Sequence, residues 1–407
     1  MVMTNHVTVC DQDPQPRLWN SNYVRVWVAN FMLFFAFYLL TPLLPIFLWD
    51  TFKADSAVTG IVLSGYTVTA LITRPFSGYI VDSFPRKKVL MWCFFFFAVF
   101  FAGYFLTWSL MLFAIIRTLH GAPFGALTVA NSTMAIDVLH PRRRAEGIGF
   151  YGLSNNIAMA IGPSIGMFVY REVHDFNVLF GLSLVIALLG LVIDAGIKAR
   201  DRQPMAASDE RKRMSLDRFF LVQGWSEAIV IAGLSFGFGI ISTYLAIYSE
   251  TVIDVKGGTA IYFALLAAGL IGSRLVGSRT LRRGLVVENA QWGMTLSLLG
   301  YLAFVVLPYP VGYYGSALVI GMGNGHMFPA MQTMFINLAH NNRRGTANST
   351  LLVSWDVGIG LGIVVGGAVA HYYGYKAAFW NAFAVNLLAV AFFWLYVRGS
   401  YLRNRLR

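Results

Sequence analysis

A lone carboxylate, Asp356, interrupts the apolar run from Leu351 to Ala370, and three arginines, Arg74, Arg117 and Arg274, interrupt others. A charge placed in hydrocarbon costs several kcal/mol unless it faces a partner or water, so each of these side chains is a candidate for function before any fold is assumed. Asp356 is the first choice for a group that titrates or binds a cation, because proton and cation compete for a buried carboxylate. His326 is the second, with an unperturbed pKa of about 6.5; a hydrogen bond from helix to helix explains it equally well. At comparable depth stand Asn155, Asn156, Asn324 and Trp355, a polar set that lines one cavity if the faces carrying it converge. Phe34, Phe37 and Tyr38, with Phe236, Phe238 and Tyr244, supply either aromatic walls or plain packing. As walls they suit a partly apolar organic solute.

The elements that position these residues must tolerate hydrocarbon. Of the 407 residues, 57% are hydrophobic and 12% charged, about half the charged share of an ordinary soluble domain. A bilayer core needs roughly 20 mostly apolar helical residues to cross it. Such runs recur twelve times, at 24–48, 57–82, 89–107, 109–137, 147–170, 176–197, 221–249, 258–278, 286–307, 311–336, 346–370 and 377–397. They are apolar nearly all round, whereas helices of a large soluble protein would show one polar face. At 1.5 Å per residue, Asp356 lies about 15 Å deep, near the bilayer centre.

The net charge of +12 raises nucleic acid as a partner, but the placement of charge argues against it. Apart from the three arginines inside spans, only Lys53, Arg171, Lys256 and Lys376 of the 31 basic residues fall on one side of the membrane. That asymmetry predicts both termini in the cytoplasm and makes the basic tail from Arg398 to Arg407 a contact for anionic lipid headgroups. Residues 1–22 lack the apolar segment of a cleavable signal, so the first span is expected to direct insertion. Cys10 and Cys93 indicate neither a disulfide framework nor a metal site.

The polar stretch 198–220, with Asp201, Pro204 and the cluster Arg211, Lys212 and Arg213, divides the spans six and six. The expected organisation is a cytoplasmic tail 1–22, a six-helix bundle 23–197, a linker 198–220, a second bundle 221–397 and a basic tail 398–407. A shift of 200 residues carries Arg74 onto Arg274, Gly121 and Gly125 onto Gly321 and Gly325, Thr133 and Met134 onto Thr333 and Met334, Arg143 and Arg144 onto Arg343 and Arg344, Asn156 onto Asp356, and Gly162 and Gly166 onto Gly362 and Gly366. A repeat of this kind predicts an all-α polytopic membrane protein of two pseudo-symmetric six-helix bundles, related by an axis along the membrane normal and rocking about a midplane site.

Gly78, Asp82, Arg86 and Lys87 resemble the loop signature of the major facilitator superfamily, Gly-x-x-x-Asp-Arg-x-Gly-Arg-Lys, with Ser83 and Pro85 departing from it. The resemblance implies that Asp82 pairs with a basic residue and with the positive N-terminus of a helix in the other half, latching one state of the cycle; the plainer alternative is a loop anchored in water. Arg117 with Gly121 is similar to a second signature, whose buried Arg is linked to proton transfer; an Arg that braces helices is the alternative. Gly162, Pro163 and Gly166, with Ala158 where a further Gly belongs, look like the antiporter signature, which implies export; helix packing alone is the other reading. His140 to Gly147 is similar to the Arg-rich turn of the superfamily, and Thr41 to Pro45 to its first-helix break. The chain as a whole resembles the drug:proton antiporter-like, twelve-helix branch, although its first span lacks that branch's usual carboxylate. Glu227 and Asp137, near span ends, are expected to serve in interfacial salt bridges or gates.

The expected function is secondary active transport by alternating access: proton-coupled efflux of a small amphiphilic organic compound, with metabolite uptake by proton symport or facilitated diffusion as the alternative. Neither a nucleophile with its base, a phosphate loop nor a metal-ligand cluster appears in the sequence, which argues against an enzyme or a nucleotide-driven pump. The expected setting is a monomer in a bacterial inner membrane. Its expected partners are a small-molecule substrate and the bilayer, not nucleic acid, and its expected driving force is a proton gradient with no cofactor.

Overall fold

The first span is broken where its prolines require it. Helix α1 (Ser21–Leu40) is capped by Asn20, whose side chain accepts from the Tyr23 N–H at 2.9 Å, and it ends in a turn before α2 (Leu44–Phe52). Pro42 in that turn has no N–H to continue α1, while Pro45 sits in the first turn of α2, where a missing donor leaves no helical bond unmade. The structure, a computed structural model, describes residues 17–54, 56–198, 219–255 and 258–406. Cys10, most of the linker with Arg211 to Arg213, Lys256 and Arg407 lie outside the described residues.

Beyond α2 the first half continues with α3 (Ser56–Ser83), α4 (Arg86–Gly103), α5 (Leu110–Val138), α6 (Arg144–Val173) and α7 (Phe176–Ala195). The second half comprises α8 (Trp225–Thr251), α9 (Gly258–Arg282), α10 (Val286–Val306), α11 (Ser316–Leu338), α12 (Arg344–Tyr373) and α13 (Tyr375–Phe392), followed by a π turn and a short α14 (Arg398–Asn404). With α1 and α2 counted as one, these are the twelve crossings in two six-helix bundles. Among the described residues, seven helical segments are long and apolar enough to cross a membrane alone. The remaining crossings are α3, α6, α9, α10 and α11. Trp92, Val364, Leu388 and Leu395 are exposed on the outer surface, which is stable only against lipid.

Within each half, glycines set the helix contacts. Gly121 and Gly125 of α5 lie against the backbone of Tyr66 and Ala70 in α3, and 200 residues on, Gly321 and Gly325 of α11 lie against Leu266 and Leu270 in α9. Gly162 and Gly166 of α6 seat on Tyr38 and Leu39 of α1, as Gly362 and Gly366 of α12 seat on Phe236 and Ile240 of α8. Lipid offers no hydrophobic drive for helix association, so these backbone approaches, with van der Waals contact along them, hold each bundle together. A polar network adds to them in the first half: Asn30 Oδ1 accepts from Tyr151 Oη at 2.7 Å and from Asn131 Nδ2 at 3.3 Å, while Asn30 Nδ2 donates to Ser154 Oγ at 2.8 Å. It ties α1, α5 and α6.

Gly121→Val and Gly321→Val are therefore expected each to destabilise the protein by roughly 1–3 kcal/mol or more through overpacking. Gly272→Val, where a Cβ meets nothing within 4 Å, is expected to leave the thermal midpoint of the detergent-purified protein unchanged.

Candidate functional site

Helix α12 opens with N–H groups that have no partner inside the helix, and a side chain from the other half fills the role. Asp82, at the end of α3, accepts the Gly345 N–H on Oδ1 at 2.9 Å, and on Oδ2 the Thr346 N–H at 2.8 Å and hydroxyl at 3.0 Å. The carboxylate lies where the helix dipole favours it. Gly78, one turn earlier, allows the approach: a Cβ there would stand 2.6 Å from that of Ser349. Arg86 Nη2 donates to Asp82 Oδ1 at 2.7 Å and its other Nη pairs with Asp137 of α5, whose Oδ1 accepts from Arg344 Nη1 of α12 at 2.8 Å. The charge chain Asp82, Arg86, Asp137, Arg344 thus joins the halves at the face where α1 begins and α14 ends, the basic face. Lys87 stands apart from it: its Nζ donates to the carbonyls of Ala195 at 2.9 Å and Ile197 at 2.7 Å, closing the end of α7 within the first half.

A second latch mirrors the first with inverted charge. Glu146, in the first turn of α6, accepts from Arg282 Nη2 of α9 at 2.8 Å and pairs with Arg143 Nε at 2.9 Å. The shift of 200 residues carries Asp82 onto Arg282 and Glu146 onto Thr346, so the repeated position that holds an acid in the first tie holds a base in the second, and the helix start it meets carries Thr346 in one and Glu146 in the other. A search for identical residues passes over such a pair; a search for opposite charges at repeated positions finds it.

Toward the midplane, Arg74 of α3 forms an ion pair with Asp356 of α12. The Arg74 side chain is 9% exposed and that of Asp356 23%, so the open edge of the pair belongs to the carboxylate. Trp355 beside it packs with Phe238 of α8 and Phe328 of α11, ring centroids 5.9 and 5.2 Å away. In the other half Phe34 stacks on Tyr38 along α1, and Phe37 of α1 stacks on Phe124 of α5 at 4.9 Å. Asn155 and Asn156 of α6 each leave one amide atom without a hydrogen-bond partner. The antiporter-like Gly162, Pro163 and Gly166 lie in α6, which stays helical through Pro163.

Three candidates lie elsewhere. Among the described residues Arg117 finds no carboxylate; Nη1 donates to Tyr104 Oη at 3.0 Å and the guanidinium lies 4.0 Å from the Tyr66 ring centroid, a cation–π brace inside the first half. Asn324 accepts from Ser297 at 3.3 Å, and His326 Nδ1 lies 2.9 Å from Asn289 Oδ1. Both therefore face α10 rather than Asp356, because the polar groups of α10 and α11 satisfy one another. The polar set expected around one cavity is split accordingly, with Asn155, Asn156, Trp355 and Asp356 remaining on α6 and α12.

The sequence profile of the Major Facilitator Superfamily matches residues 26–310 and, again, 290–405. The chain belongs to the major facilitator superfamily. It is similar to the staphylopine export protein of Staphylococcus aureus, 24% identical over 370 residues that cover 87% of this chain and 90% of that one. Among solved structures it resembles the human organic anion transporter MFSD10, with a TM-score of 0.79 at 17% identity over 93% of this chain and 100% of that one. It also resembles the superfamily transporter FucP in its outward conformation, with a TM-score of 0.77 at 14% identity over 92% and 99%. The fold is that of an alternating-access transporter, and the major facilitator assignment makes the chain a multi-pass membrane protein and not an enzyme.

The latch role expected for the basic-face chain requires that this tie break in each cycle. Asp82→Asn removes the charge that caps α12, and hydrogen bonds to a charged group contribute about 1.5–3 kcal/mol each. Spin labels at the exposed Arg142 and Arg283 are expected to show the population separated at this face rising roughly 10- to 100-fold, with Lys87→Ala showing no shift. An unchanged distance distribution in Asp82→Asn would contradict the assignment.

Proposed function

We propose that the protein exports a small organic compound from the cytoplasm of a bacterium in exchange for protons, as a monomer in the inner membrane with both termini cytoplasmic. The observation that carries this reading is the ion pair of Arg74 and Asp356: a midplane carboxylate shared between the halves, with part of its surface open. A proton arriving at Asp356 cancels the attraction to Arg74 and loosens α3 from α12 at mid-depth. Loss of that proton on the other side restores the tie, so protonation and the relative position of the halves are coupled through one bond. The first span needs no carboxylate for this scheme, since the coupling group sits on α12.

Export as the direction is supported by the glycine and proline pattern at Gly162, Pro163 and Gly166, and by the relative whose name is staphylopine export protein. Both favour the antiporter-like branch. The aromatic groups Phe34, Tyr38, Phe238 and Trp355 suit the apolar part of such a solute.

In inside-out vesicles with an acid interior, amphiphilic compounds taken up by the protein are expected to draw protons out, and Asp356→Asn is expected to lower this exchange at least tenfold while the protein remains folded. Transport without proton movement, or full activity in Asp356→Asn, would contradict the reading.

A further inference from the structure

At the repeated pair Asn156 and Asp356 the two halves differ in charge. The shift of 200 residues carries Arg74 onto Arg274 and Asn156 onto Asp356. Where α3 meets α12, guanidinium meets carboxylate. Where α9 meets α6, the guanidinium of Arg274 reaches no carboxylate among the described residues. Its Nη1 donates to the Gly149 carbonyl at a long 3.4 Å, its Nε has no hydrogen-bond partner, and the residue is only 7% exposed.

The opposing face of α6 is shaped to receive this group. Gly149, Gly152 and Asn156 follow helical spacing along one side of α6. Gly152 makes the seat, since a Cβ there would stand 2.9 Å from Arg274 Cζ; the repeated position holds Leu352. One turn further, about 5.4 Å along the helix, Asn156 is 7% exposed and its Nδ2 donor is unpartnered. Buried donors left unsatisfied are rare in native proteins and each demands a physical reason. Here an Nε–H of Arg274 and the amide N–H₂ of Asn156, one helical turn beyond the Gly152 seat, are both left without partners where α9 meets α6, and the guanidinium has no counter-ion among the described residues.

We propose that Arg274 and Asn156 form a carboxylate subsite of the transport cavity, so that a substrate carboxylate occupies the place that Asp356 takes in the other half. The substrate class is then a small organic acid or amino acid derivative bearing at least one free carboxylate, recognised by a guanidinium fork with an amide donor above it. Its carboxylate completes the second inter-half ion pair, so occupancy is felt by both bundles. This deepens the export reading and rests on it for the claim that the cavity carries a solute.

The test uses full-length protein in nanodiscs and a panel of dicarboxylates, aromatic carboxylates and N-substituted amino acids, each beside its methyl ester and its amine analogue. At least one carboxylate is expected to raise the thermal midpoint while its ester and amine do not. Arg274→Gln is expected to weaken its binding at least tenfold, with Arg274→Lys intermediate. Asn156→Asp supplies an internal counter-ion, so it is expected to abolish carboxylate binding while keeping or raising the midpoint of the unliganded protein, which guards against loss through misfolding. The proposal is overturned if no carboxylate shifts the midpoint, if esters or amines shift it equally, or if carboxylate binding survives Arg274→Gln or Asn156→Asp. Vesicle transport separates the two readings: outward movement of neutral or cationic compounds alone removes the subsite and keeps export, whereas carboxylate binding without outward movement keeps the subsite and removes export.

Discussion

Charges in hydrocarbon need partners, and in this protein several of those partners lie in the opposite half. Asp82 finds the start of α12, Asp137 finds Arg344, Glu146 finds Arg282, and Arg74 finds Asp356. Since lipid supplies no hydrophobic drive between helices, the association of the two bundles rests heavily on a few charge-assisted bonds. Such bonds are directional and lose most of their value once a group is displaced or neutralised. An interface built this way is suited to two discrete states, which is what a rocking transporter requires.

The contacts inside each bundle have the opposite character. Gly121, Gly125, Gly162 and Gly166, with their counterparts in the second half, bring backbone against backbone over several turns. Those contacts do not depend on a proton or a solute, in contrast to the charge-assisted bonds between the halves. The division places rigidity within halves and chemical sensitivity between them. At the basic face the first half supplies the acids, Asp82, Asp137 and Glu146, and the second half supplies the helix start at Gly345 and Thr346 with Arg344 and Arg282 to meet them.

Much of the fold was legible in the sequence because hydropathy records a bilayer constraint directly and the 200-residue repeat records the pairing of two bundles. Asp356 was legible for a related reason, as a charge in a place where charge is costly, and Asp82 through the resemblance of its loop to the superfamily signature. What escaped was the direction each side chain faces. Helices that are apolar all round give no amphipathic face from which to orient a residue, so Asn324 and His326 were grouped with Asp356 although they bond to α10. Lys87 enters the latch through the loop signature, yet one residue along a helix turns a side chain by roughly 100°, and it caps α7 instead. The tie between Arg74 and Asp356 joins residues far apart in the chain, and only packing reveals it.

The central claim is that Arg74 and Asp356 act in transport as one unit, and a double-mutant cycle tests it most directly. Transport rates in reconstituted vesicles are measured for wild type, Arg74→Gln, Asp356→Asn and the double variant. The account predicts that the double variant is no slower than the slower single variant, because either substitution alone already breaks the pair. Losses that multiply in the double variant would show two independent residues and contradict it.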